Sequence, residues 1–301
     1  MTKRAETPKQ DRTNARGAAK AAPPRKGPPI ALLVGIGAVV VIAIMVAVKF
    51  LNQGSSAAMA SGPVPPSLMT TLESLPISEV GAVGAGSAQG TFAHIKGPAL
   101  VGKSGLPRIV YMGAEYCPFC AAERWGVVIA LNRFGHFENL GLSHSATDDI
   151  FPGTATFTFH GATYHSQYVD FTAVEMQTNT KVNGQYAPLE TPDASEVALL
   201  QTYDAPPYVP ADAAGSIPFL DIANQFVFSG ATFPPDLLTG KSWTAIAARL
   251  SDPTTPEARG IVGTADVLTG AICIATSNKP AAVCGIPAIQ LIEHTTLTAA
   301  H

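Results

Sequence analysis

The sequence predicts an α/β protein: one domain of mixed strands and helices behind a single transmembrane helix. Three observations predict it. A short run of β-formers leads through a CxxC tetrapeptide into a helical stretch. Segments of period-two alternation follow, and nineteen uncharged residues lie near the N-terminus.

Those nineteen, Ile30 to Val48, read IALLVGIGAVVVIAIMVAV and span about 28 Å as a helix, enough to cross the hydrocarbon layer. The run is too long and apolar for a buried core helix. A cleaved signal peptide is the other alternative, since Ala58-Met59-Ala60 has the small-x-small pattern. Against cleavage, the apolar run exceeds the usual signal length and the charged region before it is unusually long. Residues 1–29 hold eight basic side chains and two acidic ones, so the N-terminus is expected in the cytoplasm and residues beyond the span outside it. Whether or not the anchor is cleaved, the expected location of the domain is extracytoplasmic, at the cell membrane.

The chain therefore divides into a basic, disordered cytoplasmic tail (1–29), a transmembrane helix (30–48), a Gly/Ser/Ala/Pro linker (49–66) and an extracytoplasmic domain (67–301). The tail's charge serves topology, or attraction to anionic lipid. From Asn52 onward ten Lys/Arg face twenty Asp/Glu, a net charge of −10. So acidic a body excludes nucleic acid as the natural partner, because phosphate binding needs a basic surface.

Within the domain, SLMTTLESL (67–75) suits a short helix. Arg108 to Ala114, bounded by Pro107, suits a buried central strand. Ala121 to Phe134 carries Ala121, Trp125, Val128, Ile129 and Asn132 at helical spacing, with Gly135 as a stop signal. Thr154–Phe159 and Val169–Val174 alternate with period two across a turn at His160-Gly161-Ala162, which reads as a long hairpin or meander. Residues 177–214 are polar, an insertion with one short helix near Ser195–Gln201. Ile217–Ile222 and Phe226–Gly230 form a second hairpin around Asn224-Gln225. Ser242 caps a helix from Trp243 to Leu250, and 257–299 is helical with breaks at Pro280 and Pro287.

The chemistry lies in four cysteines. Cys117-Pro118-Phe119-Cys120 spaces two sulfurs by one helical turn. A sulfur just ahead of a helix faces its free N–H groups and the positive end of its dipole, which favours the thiolate. Pro118 suits the first turn, where no N–H is needed. Cys117 is then the attacking cysteine and Cys120 the deeper, resolving one. Two other readings stand beside this. The pair could form half of a zinc site completed by Cys273 and Cys284, though the ten-residue interval between those two is unusual. It could also be a structural disulfide, though so short a loop stabilises little. Cys273 and Cys284 flank a turn at Asn278-Lys279-Pro280 and read as a structural disulfide worth about 3 kcal/mol, or else as a second redox relay. His136, His144, His160 and His165 are irregularly spaced and read as surface or hydrogen-bonded residues, so no metal and no cofactor is expected. Glu115 is a proton acceptor for Cys117 or a solvated loop charge.

These residues resemble the thioredoxin-fold superfamily, and within it the Dsb-type extracytoplasmic oxidoreductases. The similarity is closest to an uncharacterised family of membrane-anchored thioredoxin-like proteins of archaea and actinobacteria. It covers about residues 85–250 and is most specific in YMGAEYCPFCAAERWGVVIALNRFG (111–135), within Tyr111–Glu175. The resemblance implies a three-layer α/β/α domain with an insertion and a helical C-terminal extension (251–301). It implies Cys117 as attacking and Cys120 as resolving cysteine. It also implies that Pro218, which opens an apolar strand, is a cis-proline beside them; an ordinary trans proline at a strand start is the alternative. Two departures stand out: Tyr116 occupies a position that is usually Trp, and about a hundred residues separate the CPFC motif from Pro218. The expected function is thiol–disulfide exchange on exported cysteine-containing polypeptides, as oxidase or isomerase rather than reductase, because the compartment is oxidising. A membrane redox partner would recycle the pair. The rival reading is a non-enzymatic adaptor or assembly factor for a membrane complex.

Overall fold

The computed structural model describes residues 61–75, 81–89 and 91–298. The expected basic tail, transmembrane helix and linker as far as residue 60 lie outside the described residues.

The centre is a five-stranded mixed sheet. β3 (Arg108–Gly113) is buried along almost its whole length, as its unbroken apolar run requires. It pairs in parallel with β8 (Asp170–Glu175), with Arg108 opposite Asp170 and Gly113 opposite Glu175. On its other side it pairs antiparallel with β11 (Phe219–Ile222), with Phe219 opposite Met112. β12 (Phe226–Ser229) and β2 (Thr91–His94) complete the order β2-β12-β11-β3-β8. Ala223 and Asn224 make the β11–β12 turn, both at φ 54°.

Alternation sends side chains to opposite faces. Ile109, Tyr111, Leu220, Ile222, Phe226 and Phe228 join the larger core. That core is filled by α2 (Pro118–Asn132) and α5 (Pro256–Ala275), while α1 (Pro66–Glu73) contributes Leu68 and Leu72. Val110, Met112, Phe219 and Val227 meet Leu199 of α3 (Ala194–Tyr203) on the other face. The result is a mixed α/β fold with helices against both faces of the sheet.

α5 is long and apolar enough to cross a membrane, but 83% of its most apolar window is buried inside the fold, so it serves as a core helix. It crosses α2 closely. A Cβ on Gly126 would lie 2.4 Å from Thr264 Cγ2, so only glycine fits there. Trp125, wholly buried, donates its indole N–H to the Ala155 carbonyl at 2.9 Å and packs edge-on to Phe157, satisfying its polar edge as buried Trp requires.

Three elements differ from expectation. The two alternating segments do not form one hairpin. β6 (Ala155–Thr158) pairs with β5 (Gly141–His144), which in turn pairs with β1 (Gly62–Pro63); β4 (Gly135–Glu138) pairs with β7 (Thr163–Ser166); and β8 joins the central sheet. Alternation specifies which face is buried, not which strand is the partner. The polar insertion holds, besides α3, a hairpin of β9 (Gln177–Val182) and β10 (Gln185–Pro188). The helix capped by Ser242, α4, is shorter than expected and spans Trp243–Ala247. The C-terminal region breaks into α5, α6 (Ala281–Cys284) and α7 (Pro287–His294), each of the last two following or beginning at a proline.

Candidate functional site

β3 ends at Gly113, and the chain turns through Ala114–Tyr116 into α2. Cys117 is the N-cap of that helix, in extended conformation, with Pro118 in the first turn. Its sulfur accepts the Cys120 backbone N–H at 3.3 Å, one of the free donors at a helix start. On its other side the sulfur lies 3.8 Å from the Ile217 carbonyl, to which the thiol donates. The Ile217–Pro218 bond is cis. Residues a hundred positions apart thus meet because β11, which follows Pro218, lies directly beside β3.

The two cysteines carry free thiols in unlike surroundings. Hydrogen bonding from the Cys120 thiol holds Cys117 below the ordinary thiol range; burial opposes this, while the Cys120 and Phe119 N–H groups and the Arg124 charge assist. Cys120 is wholly buried, and desolvation, its bond to Cys117 and the Cys117 charge push it well above that range. One sulfur ionises readily and its neighbour does not.

Cys117 is 6% exposed. Tyr116 stacks flat on Tyr186 of β10, with ring centroids 4.1 Å apart. Lys181 of β9 lies 4.8 Å over the Tyr186 ring and pairs with Asp148 at 2.6 Å. The Tyr186 hydroxyl also donates to Asp148, at 3.3 Å. Phe119 projects from the CPFC turn, 42% exposed, edge-on to Phe151. The β9–β10 hairpin and the 145–153 loop therefore wall the cysteine pair. Neither was singled out from the sequence. Asn183-Gly184, at φ 53° and 82°, is the turn signal that marks such a hairpin.

Beneath the pair, Arg124 and Glu175 form a wholly buried ion pair, also missed from the sequence. Glu115 and two of the histidines, His144 and His160, line an open cleft of about 650 Å³ beside the turn. His144 Nδ1 contacts the Ser145 carbonyl, His160 pairs with Glu190 at 2.6 Å, and His136 stacks on His165. Among the described residues no group of three or more His, Cys, Asp or Glu is arranged to hold a metal. Cys273, near the end of α5, is bonded to Cys284 of α6, and both are buried.

Residues 97–274, more than half of the chain, match the family described as Domain of unknown function (DUF929). The chain belongs to the DUF929 family. No curated protein matches the chain, and no solved structure does. The DUF929 region contains Cys117, Cys120, Arg124, Glu175, Pro218 and Cys273, whereas Cys284 lies beyond it.

Proposed function

We propose that this DUF929 chain is a membrane-anchored, thioredoxin-like oxidoreductase that exchanges disulfides with exported polypeptides. The observation that carries the proposal is the convergence at one sulfur: Cys117 caps α2, Cys120 follows one turn on, and the carbonyl preceding cis-linked Pro218 lies 3.8 Å away. A mixed sheet with helices against both faces supports the thioredoxin-like reading of the fold.

In the oxidising direction, a substrate thiolate attacks Cys117 in the Cys117–Cys120 disulfide. The S–S bond breaks, and Cys120 leaves and takes up a proton. A second substrate thiolate then attacks the substrate sulfur of the mixed disulfide, and Cys117 leaves as the thiolate. Two electrons have passed from the substrate to the pair. A membrane redox partner accepts them and restores the disulfide. A leaving thiolate of low pKa departs faster, so the lowered Cys117 favours oxidation or isomerisation over reduction. The backbone at half-buried Ile217, whose carbonyl faces Cys117, would pair with the substrate chain.

A Cys120→Ser chain expressed in its native membrane should accumulate mixed disulfides through Cys117, resolved by gel shift and released by reductant. Absence of such adducts on every exported protein would remove the oxidoreductase reading. The Cys117→Ser, Cys120→Ser double variant separates the rival: an adaptor keeps its cellular role without either sulfur.

A further inference from the structure

Arg124 lies four residues beyond Cys120, on the same face of α2. Neither it nor Glu175 has any solvent exposure. Its Nε donates to Glu175 Oε1 at 2.8 Å and its Nη2 to Oε2 at 2.6 Å, the two-pronged geometry that fixes a guanidinium in its plane. Nη2 also donates to the Ala114 carbonyl at 2.9 Å. That same carbonyl receives the Cys117 backbone N–H at 3.3 Å. The guanidinium therefore ties the end of β8 to the turn that carries the nucleophile, from inside the helix that carries both sulfurs. Glu175 is itself held, its N–H donating to Glu190 Oε2 at 2.7 Å.

Burying such a pair strips both ions of water before they attract one another, and an apolar pair would fill this space without that cost. Nη1 has no hydrogen-bond partner among the described residues. Burial is the largest single influence and opposes the charge on Arg124, but Glu175, Tyr111 and Cys120 together outweigh it and the guanidinium stays protonated. The Tyr111 ring lies 5.7 Å below it. Tyr111, wholly buried, is pushed well above the usual phenol range by desolvation and stays neutral. The titratable groups that face Arg124 are thus Glu175, Tyr111 and the two cysteines.

We propose that Arg124 is the positioning residue of the cysteine pair: locked by Glu175, it fixes the Ala114–Cys117 turn and supplies the buried positive charge against which Cys117 ionises. The proposal deepens the oxidoreductase reading and rests on it for its biological meaning. It predicts that the reduced state of the pair is favoured by a charge within the core as well as by the helix tip, making the disulfide more oxidising.

The test uses the purified full-length chain in its reduced form, with thiolate absorbance at 240 nm followed against pH. Arg124→Gln combined with Glu175→Gln keeps amide hydrogen bonding and removes both charges. The Cys117 midpoint should rise by about half a unit, less than for losing a lone cation because the Glu175 charge leaves with it, which is about a threefold loss of thiolate in mild acid. Arg124→Lys keeps the charge and should stay close to the wild type. A double variant that folds, by circular dichroism, and titrates like the wild type overturns the proposal.

Should the double variant not fold, a titration of the wild-type chain takes its place. With arginine side chains labelled in ¹⁵N and Arg124 assigned through Arg124→Lys, its resonance should move with the Cys117 midpoint. A resonance that stays fixed across that titration overturns the proposal equally. Neither readout needs a substrate. If the titration behaves as expected and no mixed disulfides form in cells, the function assigned above fails and the role of Arg124 stands.

Discussion

Replacing Glu123 with glutamine isolates an acid whose charge the fold resists. Glu123 lies in α2 between Cys120 and the crossing with α5, with no solvent exposure. One carboxyl oxygen accepts the N–H and hydroxyl of Thr232, both at 2.9 Å, and that hydroxyl also meets Thr264 of α5. The other oxygen has no partner among the described residues. Burial pushes its pKa from 4.5 to about 7, against the two hydrogen bonds from Thr232. The folded chain thus binds this proton more tightly than the unfolded chain. For an acid shifted in this direction, stability is greatest below pH 4.5 and is lost as pH rises toward 7. A shift of that size corresponds to about 3 kcal/mol of stability lost between pH 4 and pH 7.

Glutamine keeps the carbonyl that Thr232 needs and does not titrate. Its amide costs a fixed amount, because an unpartnered N–H₂ group is unfavourable at every pH. Asp221 and Asp266, which burial also raises to about 7, are present in both chains and cancel in the comparison. Urea unfolding of wild type and Glu123→Gln at pH 4, 5.5 and 7 therefore reads Glu123 alone. The variant should gain about 3 kcal/mol relative to wild type across that range. A gap that stays constant to within about 0.5 kcal/mol, the usual scatter of independent sites, would refute the argument.

Three further outcomes follow from the packing and the site. Gly126→Ala should destabilise the chain by about 1–2 kcal/mol in urea unfolding, since the overlap with Thr264 outweighs alanine's helix preference; a stabilised variant would mean the helices separate without strain. Cys273→Ser with Cys284→Ser should cost about 2–3 kcal/mol, by release of the loop joining α5 to α6, with Cys117 alkylation unchanged. Cys117 should be alkylated at half-maximal rate at a pH below the ordinary thiol range, while Cys120 in a Cys117→Ser chain resists alkylation even in mild base; equal reactivity of the two sulfurs would remove the division of labour.

The local chemistry was legible in the sequence where it depends on neighbours in the chain. The N-cap at Cys117, the proline in the first turn and the one-turn spacing of the sulfurs all follow from residues 117–120. The strand before them was legible because its apolar run is unbroken. What the sequence concealed depends on pairing across distance. Arg124 and Glu175 are 51 positions apart, and each reads alone as an ordinary charge. The segment Asp170–Glu175 alternates as a hairpin strand would, yet it lies parallel to β3, with α2 and the β4–β7 segments in the crossover. A parallel partner requires such a crossover and leaves no local signature at the strand itself. The β9–β10 hairpin lacked an apolar face to reveal it, since its residues are mostly half-buried or exposed and only its turn is marked.

These differences in burial divide the labour around Cys117. Its floor is rigid: α2 is buried along nearly all its length, sewn to β6 by Trp125 and Thr156 and to β8 by Arg124. Moving that floor would break buried hydrogen bonds and an ion pair whose separated charges cost about 3–5 kcal/mol. Its wall is different. The β9–β10 hairpin is held by the Tyr116–Tyr186 stack, by a Glu115 N–H bond to the Gln177 carbonyl and by an Asn179 bond to the His144 carbonyl, both at 2.9 Å. Beyond these it is held by the Asp148 carboxylate, which takes Lys181 and the Tyr186 hydroxyl, with Lys181 and Asp148 40% and 57% exposed. Exposed pairs of this kind contribute about 0–1 kcal/mol. With Cys117 only 6% exposed, a substrate chain of the kind proposed would reach the sulfur most easily past the tip of the hairpin carrying Tyr186, whose ion pair is the most exposed contact around the site. The helix tip and the Ile217 carbonyl would then keep their geometry at Cys117 while the wall moved.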